Sequence, residues 1–214
     1  MAQTAPRLTA TVADGLRGSS PRRAELVEAA ARLFSERGYH GTSMKHLGDE
    51  LGLLKGSLYA HIGSKQELLH EVVEEGAGRF LERGRAALDL DGDATERLEA
   101  FLVGHIETAT EHLNAATVFL NEWRYLNDDL RADVQAKRDT YEGFVRTIIA
   151  GGIESGEFRD DADVDMAARL VLSAGNWVYA WYREGGSLSA TEIGRRYTEL
   201  LVRGLIIEEE DQKR

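Results

Sequence analysis

The chain has 214 residues, no cysteine and a formal net charge of −11. That length makes one large or two small domains. The missing thiols exclude disulfides and thiolate metal sites, and no apolar run approaches the roughly 18 residues needed to span a bilayer. The acidic total argues against nucleic acid until it is divided. Residues 1–65 hold nine Lys/Arg against six Asp/Glu, a net of +3, which leaves −14 on residues 66–214. Phosphate binding needs only a local basic face, because exposed charges act over about 8 to 10 Å. The N-terminus lacks the apolar core of a signal peptide, so the chain is expected in the cytoplasm, with no membrane partner.

Residues 1–20 read as an arm, either inert or able to follow a minor groove through Arg7, Arg17, Arg22 and Arg23. A first helix opens with Ser20 as cap and Pro21 at the first helical position. It buries Leu26, Ala29, Ala30, Leu33 and Phe34 and stops at Gly38. The capping pair Thr42 and Ser43 starts a second helix with Met44, Leu47 and Leu51 on one face, broken by Gly52. A third helix runs from about Lys55 to His61, with Leu54, Leu58 and Ile62 inward and Lys55, Ser57, Tyr59 and His61 outward. Ser64 and Glu67 form a capping box for a fourth helix from Lys65 to about Leu88. Gly76 and Gly78 mark either a bend or close packing there.

The 89–93 segment (DLDGD) is a turn and a domain boundary. Further helices are predicted from about Thr95 to Glu111, Ala115 to Leu126, Asp128 to Ser155, Asp163 to Glu184 and Ala190 to Ile207. The expected fold is all-α: an arm (1–20), a three-helix helix-turn-helix DNA-binding domain (21–66), and a second helical domain (67–208). Two short helices on a tight glycine turn suit the major groove.

Residues 34–43 (FSERGYHGTS) and 52–68 (GLLKGSLYAHIGSKQEL) carry a close resemblance to the DNA-binding signature of TetR-type transcriptional regulators. It covers about residues 23–69. Ile62 stands where that family prefers Phe, and Ala60 where a polar residue is common. The resemblance implies a dimeric repressor of a palindromic DNA operator, released by a small ligand, with no cofactor and no catalysis. It assigns ligand binding and dimerisation to the second helical domain (67–208). By residue type, Lys45, Lys55 and Lys65 would meet phosphates as point charges. Thr42, Ser43, Tyr59 and His61 would bond phosphate oxygens, Gly56 would permit close approach, and Lys55 and Ser57 are candidates for base edges.

The remainder holds no HExxH, phosphate loop or nucleophile elbow. His105 and His112 lack a third ligand at helical spacing, so no metal site is expected. An apolar effector would need an aromatic lining with a few polar groups. Phe101, His105, Phe119, Trp123, Arg124, Tyr141, Phe144, Asn176, Trp177 and Tyr179 are the candidates. A second resemblance lies in 151–158 (GGIESGEF) and 176–188 (NWVYAWYREGGSL). It points to the TetR branch that controls fatty-acid, sterol-ring and aromatic-acid catabolism and responds to CoA thioesters. Ala180 replaces a frequent Arg of that pattern, and Glu184 a Pro, leaving Arg124 and Arg183 as the cations to meet such a ligand. The alternative is a TetR-type regulator of an efflux or other operon answering to an unrelated hydrophobic ligand. An all-α enzyme and an architectural DNA protein are the competing classes.

Overall fold

The structure is a computed structural model that describes residues 21–206, with Lys55 described by its backbone alone. The arm, the Ser20 cap and the end of the chain lie outside these residues. Among the described residues all regular structure is helical. No described helix is long and apolar enough to cross a membrane.

Helix α1 (Pro21–Gly41) buries the expected Leu26, Ala29, Ala30, Leu33 and Phe34. Gly38 kinks it at φ 72°, a left-handed angle that any other residue would strain to reach. Helix α2 (Met44–Leu51) is capped reciprocally. The Ser43 hydroxyl accepts from the His46 N–H at 3.1 Å, and His46 Nδ1 accepts from the Ser43 N–H at 3.2 Å. Helix α3 (Lys55–His61) follows, with Leu58 and Ile62 buried beneath it. Leu54 departs from the periodicity. It is the extended N-cap residue, one place outside the helix, and its side chain stands in solvent.

Helix α4 (Lys65–Leu88) starts at Ser64, whose hydroxyl accepts from the Glu67 N–H at 3.1 Å. The return half of the expected box goes elsewhere. The Glu67 carboxylate accepts from the Gly63 N–H at 2.9 Å and from Arg23 at 2.8 Å. Arg23 also reaches Glu71 at 3.0 Å and the His61 carbonyl at 2.7 Å, tying α1 to α3 and α4. Its guanidinium holds the Glu67 carboxyl below the usual range.

Helices α5 (Ala94–Glu111), α6 (Leu113–Asn121) and α7 (Asp128–Glu154) pack around α4. Phe80 of α4 sits among the rings of His105, Phe119 and Tyr141, with centroids 4.9, 5.3 and 5.7 Å away. Gly76 belongs to this packing rather than to a bend. A Cβ there would lie 2.9 Å from Cβ of Phe119, and α4 runs through it unbroken. The helix predicted to Leu126 ends at Asn121 and tightens into a 3₁₀ turn, Trp123–Tyr125.

The helix predicted from Asp163 to Glu184 divides into α8 (Val164–Asn176) and α9 (Val178–Trp181). Trp177 keeps helical angles, but the register tightens there, with the Ala180 N–H bonding the Trp177 carbonyl three residues back. Helix α10 (Ala190–Val202) lies along α5. Met166, Leu170, Trp177, Trp181 and Leu200 of α8–α10 leave apolar side chains exposed.

Candidate nucleic-acid interface and effector cavity

The candidate reading surface is built on α2 and α3. Ser43, Lys45, Gly56, Ser57 and Tyr59 are exposed, while His61 is half-buried and lends its carbonyl to Arg23. Lys45 faces Asp49 at 3.6 Å. A Cβ at Gly56 would meet nothing within 4 Å, so the surface there is open to close approach. The Lys55 side chain lies outside the described residues.

Two predicted phosphate contacts need correction. Thr42 is buried, with its hydroxyl 3.0 Å from both the Leu33 and Gly38 carbonyls, so its single O–H serves the end of α1. Lys65 is not an outward point charge. Its ammonium donates to the Tyr39 carbonyl and lies 3.9 Å over the Tyr39 ring, and burial lowers its pKa.

Behind α4 lies a cavity of about 240 Å³. Of the ten residues expected around an effector, His105, Phe119, Trp123, Arg124, Tyr141 and Asn176 line it. Four do not. Phe101 is core, its ring 4.9 Å from that of Tyr141. Phe144 is also core, covered by Arg85 at 4.7 Å. Trp177 is 64% exposed, and Tyr179 is half-buried outside the cavity, its hydroxyl 3.5 Å from the Asn121 amide oxygen. The lining also includes residues not anticipated from sequence: Leu120, Gln135, Arg138, Asp139, Glu142 and Leu172.

Arg138 is the most consequential of these. Its guanidinium lies 5.1 Å over the Phe119 ring and 5.0 Å over the Trp123 ring, and donates to the Phe119 carbonyl at 3.3 Å. It makes no ion pair among the described residues, and burial lowers its pKa. The rim carboxylates are otherwise engaged, Asp139 by Gln135 at 2.7 Å and Glu142 by Arg146 at 2.7 Å.

The imidazole of His105 bonds the Tyr141 hydroxyl through Nδ1 at 3.0 Å. Burial pushes His105 down to about 4 and the Tyr141 phenol well up, so both are neutral at pH 7. His105 Nε2 and Trp123 Nε1 are buried without a hydrogen-bond partner in the protein. Such atoms carry a desolvation cost of about 1–3 kcal/mol each unless something meets them. A wall holding these two atoms and the half-buried Arg138 guanidinium is largely polar and can hydrogen-bond the polar groups of a ligand.

The cavity wall also contacts α1 and α4. Glu122, next to Trp123, accepts from the Tyr39 N–H at 2.6 Å. Tyr125 stacks on Tyr39 at 6.0 Å and meets His40 edge-on at 4.5 Å. The Gln66 amide donates to the Tyr125 carbonyl at 2.8 Å, and its oxygen accepts from the Asn127 N–H at 3.0 Å. One segment, 122–127, thus touches the cavity on one side and α1 and α4 on the other.

One group among the described residues has metal-ligand character: His70, Glu74 and Asp133. The Lys137 ammonium donates to both carboxylates of this group, to Asp133 at 2.7 Å, and so supplies its positive charge.

Residues 26–72 match the family described as bacterial regulatory proteins, tetR family, and residues 91–205 match the tetracyclin repressor-like C-terminal domain. The HTH-type transcriptional repressor KstR2 of Mycobacterium tuberculosis is 32% identical over 186 residues, covering 86% of this chain and 92% of its own. The TetR family transcriptional regulator PfmR from Thermus thermophilus superposes with a TM-score of 0.77 at 37% identity, covering 85% of this chain and 99% of that one. AibR, solved in complex with isovaleryl coenzyme A and operator DNA, superposes with a TM-score of 0.77 at 27% identity, covering 85% and 98%. The chain therefore belongs to the TetR family of bacterial transcriptional regulators and is a helix-turn-helix, ligand-responsive repressor, not an enzyme.

Proposed function

We propose that the protein binds a palindromic operator as a homodimer in the cytoplasm and leaves it when a short acyl group, carried as a CoA thioester, enters the cavity behind α4. The observation that carries this reading is the double contact of segment 122–127. A ligand against Trp123 presses on the same backbone that holds Tyr39 and Gln66. Residues 21–66 would form the reading domain and 67–208 the effector and dimerisation domain, with the exposed apolar face of α8–α10 covered by its copy. A two-fold dimer would set its two reading helices about 34 to 36 Å apart, on successive major-groove faces.

The size of the cavity favours a short acyl chain. About 240 Å³ holds a few carbons and a carbonyl, whereas the nucleotide end of coenzyme A must lie outside, past Arg124 and Arg138. AibR, whose complex holds isovaleryl coenzyme A and operator DNA, supports the same ligand class. Ligand and DNA would compete through their preferences for two arrangements of the dimer, and the shift can be no larger than the ligand's affinity difference between them.

The test is fluorescence anisotropy on DNA from just upstream of the protein's own gene, with and without a panel of short-chain acyl-CoA thioesters. Tight, salt-sensitive binding released by one thioester is expected. Binding tightened by every active ligand would overturn release, and binding indifferent to the panel would overturn the thioester class. Replacing Glu122 by Ala should shrink the effector's influence on operator affinity from about 5- to 150-fold towards unity, since the Tyr39 N–H loses its acceptor. The ratio of operator Kd with and without effector is the readout. An unchanged ratio would remove Glu122 from the coupling.

A further inference from the structure

Leu54 is the most exposed large apolar side chain among the described residues, at 85%. It stands apart from the exposed apolar face of α8–α10 and precedes the reading helix. It occupies the N-cap of α3, where Ser, Thr, Asp or Asn would satisfy a backbone N–H, and it makes no side-chain cap bond. Position 54 therefore forgoes both a cap and the burial of a leucine. Residues that break two local rules at once, with no compensation in the fold, are expected where function has set the choice.

Its surroundings say what that function is. Gly56 and Ser57, both exposed, follow within three residues, and open space surrounds the position where a Gly56 side chain would stand. When a helix-turn-helix docks, the N-terminal residues of the second helix approach the base edges in the major groove. A leucine can neither donate nor accept a hydrogen bond there. The one apolar feature that major-groove edges display is the C5-methyl group of thymine.

We propose that Leu54 reads a thymine methyl in each operator half-site, a specificity contact beside the polar ones. The proposal rests on the operator-binding reading above, and its test separates the two. DNA bound by the full-length protein is first selected from a random pool. Each thymine of the selected site is then replaced singly by uracil, which removes one methyl and leaves every hydrogen-bonding group in place. Operator Kd is measured at fixed salt for the wild type, Leu54→Ser and Leu54→Ala.

In the wild type, uracil at one thymine per half-site should weaken binding about four-fold, the effect of losing one buried methyl. Both variants should bind the thymine and uracil sites equally, which isolates the pairwise contact. Leu54→Ser should melt at or above the wild-type temperature, because serine caps α3. A uracil scan without effect, or variants as sensitive to uracil as the wild type, would overturn the proposal. So would a lowered melting temperature in Leu54→Ser, which would make the leucine structural. Failure to enrich any DNA would overturn the operator reading itself and this contact with it.

Discussion

Replacing Arg138 by methionine is expected to weaken effector binding about 10- to 150-fold while leaving operator binding by the effector-free protein within about two-fold. The guanidinium is half-buried, makes no ion pair among the described residues, and spends one donor on the Phe119 carbonyl at 3.3 Å. Its remaining donors are available to a ligand acceptor in the cavity it lines. A hydrogen bond from a charged donor contributes about 1.5–3 kcal/mol, which sets that range. Methionine keeps an unbranched apolar stem against the Phe119 and Trp123 rings, so the wall stays filled. Titration calorimetry with the active thioester decides it. Unchanged affinity would place the ligand's acceptor elsewhere.

The second large effect concerns pH. Between pH 6.5 and about 4 the wild type should lose about 3 kcal/mol more unfolding free energy than His105→Gln. The folded imidazole stays neutral down to about 4 because it is buried, whereas in the unfolded chain it takes up a proton near 6.5. Across that window the unfolded state binds the extra proton, so stability is complete above pH 6.5 and falls as the pH drops towards 4. Urea unfolding of both proteins from pH 4 to 7.5 gives the difference curve, in which the carboxylates common to both cancel. A flat difference would mean that the imidazole is not held neutral.

Both predictions rest on residues that were unequally legible in the sequence. His105 followed from helical spacing with Leu98, Phe101 and Leu102. Arg138 falls in the α7 stripe of Val134, Tyr141 and Val145, but a cation on a helix is ordinarily solvated, so residue type alone does not single it out. The four aromatics placed wrongly in the cavity show a different limit. Phe101 and Phe144 have the right type and the right helices, yet which buried ring meets a void depends on how helices cross, and period alone does not carry that. Trp177 was expected inward as part of one long helix, and the register tightens there.

The helices between residues 21 and 66 were legible almost to the residue because their caps and glycines are local signals. The failures there are local too. Leu54, Leu58 and Ile62 share a stripe only if residue 54 is helical, and it lies one place before the helix. Thr42 and Ser43 both looked like caps, but only Ser43 takes the cap, and the Thr42 hydroxyl bonds the Gly38 carbonyl. Glu67 met a stronger partner in Arg23, 44 positions away in the chain, than the backbone N–H its motif promised.

The two walls of the cavity differ in what they are free to become. Gln135, Arg138 and Tyr141 on α7 face the cavity, whereas Trp123 belongs to the segment whose neighbours Glu122, Tyr125 and Asn127 hold Tyr39 and Gln66. An engineer redirecting this sensor to a new metabolite should therefore diversify α7, where altered shape changes only what is recognised. Substitutions at Trp123 would rewrite recognition and output together, and libraries there should be rich in proteins that bind the new molecule without reporting it.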